Sequence, residues 1–174
     1  MHRRKLSVAA ATLGTTNEVA MTNEMDMTNE VWLRAVEQAD LDVFFEQEQD
    51  PEATSRAAFP PRDRERFMKH WNTKVLGDPA VTVRTVLVGG RVAGNVVAWP
   101  QDGRQWVGYW YGRDFWGGGV GSRGLTLFLD EMPVRPLYAD PVETNVGSVR
   151  VLEKCGFRLL PEKDGDHVLL VLDG

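Results

Sequence analysis

The pattern of hydrophobic and polar residues predicts three consecutive strands in the middle of the chain. Residues 81–88 are rich in valine and threonine, and Gly89-Gly90 is typical of a tight hairpin turn that leads into a second strand at residues 91–99. The polar turn at residues 101–103 leads into 104–111, where four of eight side chains are aromatic. This spacing predicts an antiparallel meander, since the connections are too short for crossovers.

The rest of the chain reads as helices and short strands. Helical spacing of apolar residues predicts helices at 40–49, 62–76, 120–131 and 145–154. Apolar runs predict further strands at 31–35, 137–142, 157–160 and 167–172. Prolines at 51, 60 and 61 predict irregular structure for residues 50–61. The predicted order is β-α-α-β-β-β-α-β-α-β-β, an α/β (α+β) fold with a mixed, mostly antiparallel sheet flanked by helices on both faces.

The first 30 residues have a different character. They lack aromatic residues and repeat Thr-Asn-Glu at positions 16–18, 22–24 and 28–30. Such a polar segment buries too little apolar surface to offset the entropy of ordering it, so residues 1–30 are predicted to be disordered. The folded domain is predicted to span residues 31–174, which is long enough for a sizeable core.

Composition narrows the classes of function. A net charge of −5 gives no electrostatic support for nucleic-acid binding. Cys155 is the single cysteine, which precludes an intrachain disulfide and suits a reducing cytoplasm. The three histidines are far apart and show no ligand spacing, so no metal is expected. No apolar run is long enough to span a membrane, so no membrane association is expected.

A glycine-rich segment joins the aromatic strand to the helix predicted at 120–131. It contains Gly117, Gly118, Gly119 and Gly121 in the sequence Trp-Gly-Gly-Gly-Val-Gly-Ser. Glycines at a helix N-terminus let an anion approach unpaired backbone N–H groups, so the segment is a candidate cradle for a diphosphate. Two alternatives explain the same residues. One is a flexible, glycine-rich helix cap without a ligand. The other is a nucleotide-binding site, although the Gly-Lys-Ser/Thr motif of a phosphate loop is absent.

The second informative segment is Asn-x-x-Ser-x-Arg-Val-Leu-Glu-Lys-x-Gly-Phe at residues 145–157. By itself it describes a helix with Asn145 as N-cap and Gly156 as its stop. Together with the glycine segment, however, it resembles the GNAT superfamily of N-acetyltransferases. Within that superfamily the chain looks most similar to the branch of the ribosomal-protein N-terminal acetyltransferases, with motifs that are specific over residues 109–157.

The resemblance implies a GNAT-like fold and transfer of an acetyl group from acetyl-CoA to a primary amine, on a peptide or a small molecule, in a ternary complex. The residues expected to hold the cofactor pyrophosphate are Gly117, Gly118, Gly119, Val120, Gly121 and Ser122. Trp110 and Tyr111 at the strand end are expected to pair with the pantetheine arm, and Asn145 and Ser148 are expected to face that arm near the sulfur. Dimers are common in the family, so a homodimer is one open alternative.

The expected catalytic residues are Ser148 and Tyr111. Amine attack on a thioester puts charge on the carbonyl oxygen and expels a thiolate. We expect Tyr111 to direct a backbone N–H at that oxygen, and Ser148 to donate a proton or hold a water. Many family members carry a tyrosine acid seven residues after the asparagine, where this chain has Leu152. The candidate bases are Asp114, Asp140, Glu143 and His70.

The missing tyrosine and the unassigned base leave a second function open, a non-catalytic acyl-CoA-binding domain with a regulatory role. The acceptor pocket is expected to involve Phe59, Pro60 and Trp71, where this branch builds that pocket.

Overall fold

The computed structural model describes residues 30–174. The predicted disordered extension at residues 1–30 lies outside this range except for Glu30, and the domain boundary stays a prediction. The strands are β1 (Val31–Arg34), β2 (Thr82–Val88), β3 (Arg91–Gln101), β4 (Arg104–Tyr111), β5 (Leu137–Ala139), β6 (Arg158–Asp164) and β7 (His167–Leu172). The helices are α1 (Asp40–Glu48), α2 (Pro51–Ala57), α3 (Arg64–His70), α4 (Val120–Glu131) and α5 (Val146–Lys154).

The seven strands form one sheet in the order β1-β2-β3-β4-β5-β7-β6. Neighbouring strands are antiparallel except β4 and β5, which run parallel. This confirms the predicted mixed, mostly antiparallel sheet. The meander forms as predicted because Gly89 and Gly90 both adopt positive φ, the backbone that a two-residue hairpin turn requires.

Helices pack on both faces of the sheet, as predicted. On one face, α4 and α5 bury Leu125, Phe128 and Leu152 against the strands. On the other face, Leu41 and Phe44 of α1 pack with residues of α3 and of the π-helical turn Trp71–Val75 that continues it. Burial of these apolar faces holds the helices to the sheet, since each large side chain contributes roughly 1.5–3 kcal/mol.

The prediction of irregular structure for residues 50–61 is wrong, because α2 occupies Pro51–Ala57. Proline is tolerated at the first position of a helix, where its missing N–H would have had no intrahelical acceptor. The Asp50 carboxylate accepts hydrogen bonds from the N–H groups of Glu52 (2.9 Å) and Ala53 (3.3 Å), which caps the helix. The order therefore gains a third helix between β1 and β2.

Candidate active site

β4 and β5 separate soon after they pair, and this leaves an opening in the sheet. Their register holds only at Gln105–Leu137 and Trp106–Tyr138. β5 ends at Ala139, whereas β4 continues to Tyr111. Beyond Trp106, therefore, β5 does not pair with the edge of β4 that faces it. Two cavities, of about 670 Å³ and about 400 Å³, lie at this opening. Both volumes suit small-molecule sites, which typically measure about 300–1,000 Å³.

The glycine segment stands at the mouth of the smaller cavity, where α4 begins. Gly119 is the N-cap residue with φ of +76°, a conformation that favours glycine. The N–H groups of residues 120–122 have no intrahelical acceptor because they form the first turn. Within the described part of the chain no side chain caps Gly119, while Arg123 donates to the carbonyl of Gly118 at 2.9 Å. The helix end is thus open to an anion.

Positive charge surrounds the smaller cavity. Arg56 of α2 and Arg150 and Lys154 of α5 line it, and among residues 30–174 no carboxylate does. The guanidinium of Arg56 lies 4.5 Å from the ring centroid of Trp116, within range of a cation–π contact. Arg56 is also paired with Glu52 of its own helix, so the helix N-terminus together with Arg150 and Lys154 gives this cavity the electrostatics of a polyanion site.

The larger cavity has aromatic walls and carries carboxylates. Phe59, Trp71 and Trp99 line it, with Glu48 and Asp140. Glu48 is buried and accepts from the guanidinium of Arg62 at 3.2 Å, yet burial still raises the pKa of its carboxyl. Apolar walls with carboxylates suit an amine attached to an apolar body.

Tyr109, Trp110, Asn145 and Ser148 line both cavities and so mark where they meet. The side chain of Asn145 accepts from the N–H of Ser148 at 3.3 Å, which caps α5. The Tyr109 Oη lies 2.8 Å from the Ser148 Oγ. A molecule in either cavity would therefore meet the same pair of hydroxyl groups.

Comparison with known proteins assigns a family to the chain. A family model described as an acetyltransferase (GNAT) domain matches residues 30–158. The chain belongs to the GNAT acetyltransferase family. The predicted resemblance is thereby confirmed, and the chain is an acetyltransferase. Comparison with curated proteins gives no match.

Solved structures share the fold of this acetyltransferase at low identity. The aminoglycoside acetyltransferase AAC(6')-Ib in complex with coenzyme A is 17% identical, with a TM-score of 0.70 over 83% of this chain and 95% of that chain. The spermidine N-acetyltransferase from Vibrio cholerae in complex with CoA and spermine is 17% identical, with a TM-score of 0.70 over 82% and 95%. RimL, a ribosomal L7/L12 alpha-N-protein acetyltransferase in complex with coenzyme A, is 17% identical, with a TM-score of 0.67 over 82% and 93%.

Most of the predicted cofactor residues of this acetyltransferase lie together. Those lining the smaller cavity are Trp110, Tyr111, Gly117, Gly119, Val120, Gly121, Ser122, Asn145 and Ser148. Gly118 is the exception, and its carbonyl is held by Arg123. Of the three predicted acceptor residues, Phe59 and Trp71 line the larger cavity and Pro60 does not, and their role stays a prediction.

The two strand-end residues present different groups to the opening. The N–H of Gly112 donates to the carbonyl of Ala93 in β3 at 2.9 Å, so strand alternation turns the backbone of Trp110 toward β3 as well. The same alternation turns the N–H of Tyr111 toward the open edge. The Tyr111 hydroxyl donates to the carbonyl of Gly121 at 3.3 Å, and burial raises its pKa, so Tyr111 offers the site its backbone and not an acid.

Two of the four candidate bases line the larger cavity. They are Asp140 and His70. Glu143 instead accepts from Lys163 at 2.8 Å, and Asp114 lies 3.9 Å from Arg91. Burial lowers the pKa of His70, assisted by Arg62 and Lys74, which favours the neutral ring that a base requires. Burial also raises the pKa of Asp140.

Sequence reasoning missed several residues of the site. Arg150 and Lys154 recur at helical spacing with Gly147 on the face of α5 that lines the smaller cavity, a signal that the sequence does carry. Arg56 was missed with its helix, α2. Tyr109 was assigned no role because three consecutive aromatic residues do not reveal which one faces an opening.

None of the helices in the part of the chain that the structure describes is long and apolar enough to cross a membrane. Within residues 30–174, no group of three or more His, Cys, Asp or Glu side chains is arranged to hold a metal ion.

Proposed function

We propose that this chain transfers an acetyl group from acetyl-CoA to a primary amine by direct attack in a ternary complex. The observation that carries the proposal is the contrast in lining between two joined cavities. The smaller one has a helix N-terminus and the cations Arg56, Arg150 and Lys154, which suit the phosphates of coenzyme A. The larger one has aromatic walls and three carboxylates beside the cations Arg62 and Lys74, so of the two cavities it alone offers acidic groups to an amine.

The cofactor would be held by backbone and by charge. We propose that the glycine-rich start of α4 binds the pyrophosphate through N–H groups, with Gly117, Gly119 and Gly121 in the cradle. Gly118 supports it by holding Arg123 beside that turn. Acetyl-CoA would supply the activated acyl group, as a thioester, when it is bound.

The chain's own groups at the junction would then act on the reacting atoms. The N–H of Tyr111 faces the open edge of β4, where it stabilises negative charge on the acyl oxygen. Ser148 protonates the leaving sulfur, a modest demand because thiols have pKa values of about 8.5. His70 or Asp140 accepts the proton that the amine must lose before it attacks.

The acceptor is a primary amine of a peptide or a small molecule. The names of three similar structures include spermidine, aminoglycoside and a ribosomal protein, which have amine groups as their common chemistry. The walls of the larger cavity favour amines with an apolar or aromatic body. Cys155 is the single cysteine, so the chain needs no oxidising compartment, which supports a cytoplasmic enzyme. A homodimer stays a prediction.

Thiol release from acetyl-CoA, measured across a panel of amines and of peptides with different first residues, tests the proposal. Turnover with at least one amine is expected, together with calorimetric binding of coenzyme A and much weaker binding of ATP. Tight cofactor binding without turnover for any amine would favour the non-catalytic acyl-CoA-binding domain. A preference for ATP would refute both functions.

A further inference from the structure

Tyr109 and Ser148 form a closed pair of hydrogen bonds at the junction of the cavities. The Tyr109 Oη lies 3.0 Å from the Ser148 carbonyl oxygen and 2.8 Å from the Ser148 Oγ. A carbonyl oxygen only accepts, so Tyr109 donates to it and Ser148 donates to Tyr109 in turn. If the Tyr109 hydroxyl rotates its proton onto the Ser148 Oγ, the serine proton is released toward the cavities while the heavy atoms keep their positions.

Building on the acetyl transfer proposed above, we propose that Tyr109 is a positioning residue that orients the Ser148 hydroxyl and frees its proton for the leaving sulfur. Both side chains line both cavities, so the pair lies where an acyl group and an amine would meet. The position expected to carry a tyrosine holds Leu152, which is 1% exposed and belongs to the core. A phenol thus reaches the site from β4 instead of from α5.

The proton balance assigns the donor role to Ser148 and not to Tyr109. As the C–N bond forms and the C–S bond breaks, Ser148 gives its proton to the sulfur and takes one from the nitrogen. Tyr109 keeps its own proton throughout and only changes the oxygen to which it donates. Burial raises the pKa of the Tyr109 phenol well above its usual value, so a buried tyrosinate is disfavoured.

The capping of α5 supports this geometry. The Asn145 side chain accepts from the Ser148 N–H at 3.3 Å, which fixes the backbone of the first turn. The serine side chain remains free to rotate about one bond, and the Tyr109 hydroxyl restricts that rotation. Removing the phenol oxygen alone would therefore disorder the serine hydroxyl without moving the helix.

The experiment compares Tyr109→Phe, Ser148→Ala and the double variant. Tyr109→Phe keeps the aromatic ring and so is expected to fold, which thermal unfolding checks. We expect kcat to fall about 100-fold in Ser148→Ala, the lower end for loss of a general acid. Tyr109→Phe should lose about tenfold, and KM for acetyl-CoA should change less than about twofold in each, since ground-state binding is not involved.

The double variant tests whether Tyr109 acts through Ser148 or affects turnover independently of it. If Tyr109 acts through Ser148, the double variant should be no slower than Ser148→Ala. A loss equal to the product of the single losses, about 1,000-fold from the two values above, would overturn the proposal. Tyr138→Phe is the matched control, because Tyr138 packs against Trp106 and lines neither cavity, and its kinetics should match the wild type.

The thiol pKa of bound coenzyme A gives a readout that needs no turnover. Measured from thiolate absorbance, it should rise in both variants, because Ser148→Ala removes the hydroxyl that donates to the sulfur and Tyr109→Phe removes the hydrogen bond that directs that hydroxyl. An unchanged thiol pKa in Tyr109→Phe would overturn the role of Tyr109. An inactive wild type would refute the proposed acetyl transfer, yet the thiol measurement would still decide whether the hydroxyl pair acts on the sulfur.

Discussion

Replacing Gly119 with valine tests whether the first turn of α4 holds the cofactor pyrophosphate. Gly119 has φ of +76°, and a Cβ built on it meets nothing within 4 Å. The new side chain would enter the smaller cavity, which Gly119 lines. A left-handed backbone costs a non-glycine residue roughly 1–2 kcal/mol, and that strain is either retained or relieved by rotating the loop. In both cases the N–H groups of residues 120–122 become blocked or misdirected.

The expected loss of affinity follows from the hydrogen bonds at stake. Hydrogen bonds to a charged group contribute roughly 1.5–3 kcal/mol each. Loss of two of them corresponds to about 100-fold or more in Kd, at about 1.4 kcal/mol per factor of ten. Calorimetry with coenzyme A measures this change, and urea unfolding measures the stability of the same protein.

Gly90→Val is the matched control. Gly90 has φ of +78° and equally open space around its Cβ, but it lies in the β2–β3 hairpin and lines neither cavity. Both variants should lose about 1–2 kcal/mol of stability from backbone strain, while only Gly119→Val should lose cofactor affinity. A folded Gly119→Val variant with wild-type affinity, or an equal loss in Gly90→Val, would refute the cradle.

Two further predictions concern stability. Gly124→Ala should destabilise the fold by about 1–2 kcal/mol, because the added Cβ would lie 2.7 Å from the Tyr111 Oη and this overpacking outweighs the gain in helix propensity. The control is Gly147→Ala, where the nearest atom to the added Cβ is 3.9 Å away and no such loss is expected. Chemical unfolding of both variants measures the difference. Asp40 is buried, which alone raises its pKa, but hydrogen bonds from Arg34, the Glu37 N–H and Thr85 lower that pKa below its usual value. Its stabilisation is therefore present above the unfolded pKa of about 3.9 and is lost as pH falls through the folded value. Asp40→Asn should lose about 1.5–3 kcal/mol at pH 7, the range for hydrogen bonds to a charged group, and less at pH 3, so an equal loss at both would contradict the linkage.

The sequence predicts most of the fold because its local signals agree with the tertiary structure. The helix predicted at residues 120–131 has the bounds of α4, since glycine precedes it and proline follows. The sequence does not predict α2, because Pro51, Pro60 and Pro61 together indicate irregular structure, although Asp50 before Pro51 is a good N-cap. β5 is shorter than the predicted 137–142 strand, because its regular pairing stops at Ala139 and the chain then contacts β7 only through an isolated bridge between Val142 and His167.

The candidate site is predictable where backbone chemistry defines it. Glycines at a helix N-terminus and an asparagine cap have local meanings, and the structure brings Gly119, Asn145 and Ser148 to one cavity. The role of Tyr109 depends on which side of β4 is left open, which is set by the separation of β4 from β5. Long-range strand pairing of this kind has no signal within residues 104–111.

In the function proposed above, the separation of β4 from β5 serves both cofactor binding and chemistry. Buried backbone groups are almost always hydrogen-bonded, so the open edge of β4 at Tyr109 and Tyr111 requires polar partners. An extended arm with amide groups, such as pantetheine, supplies such partners and would lie along that edge as a strand does. One end of the arm would then reach the cations and glycines of the smaller cavity, and the other would reach Ser148 beside the larger cavity. A β4 edge that stayed paired with β5 would have no free backbone groups to offer such an arm, so the missing pairing beyond Trp106 is as much a part of the site as its side chains.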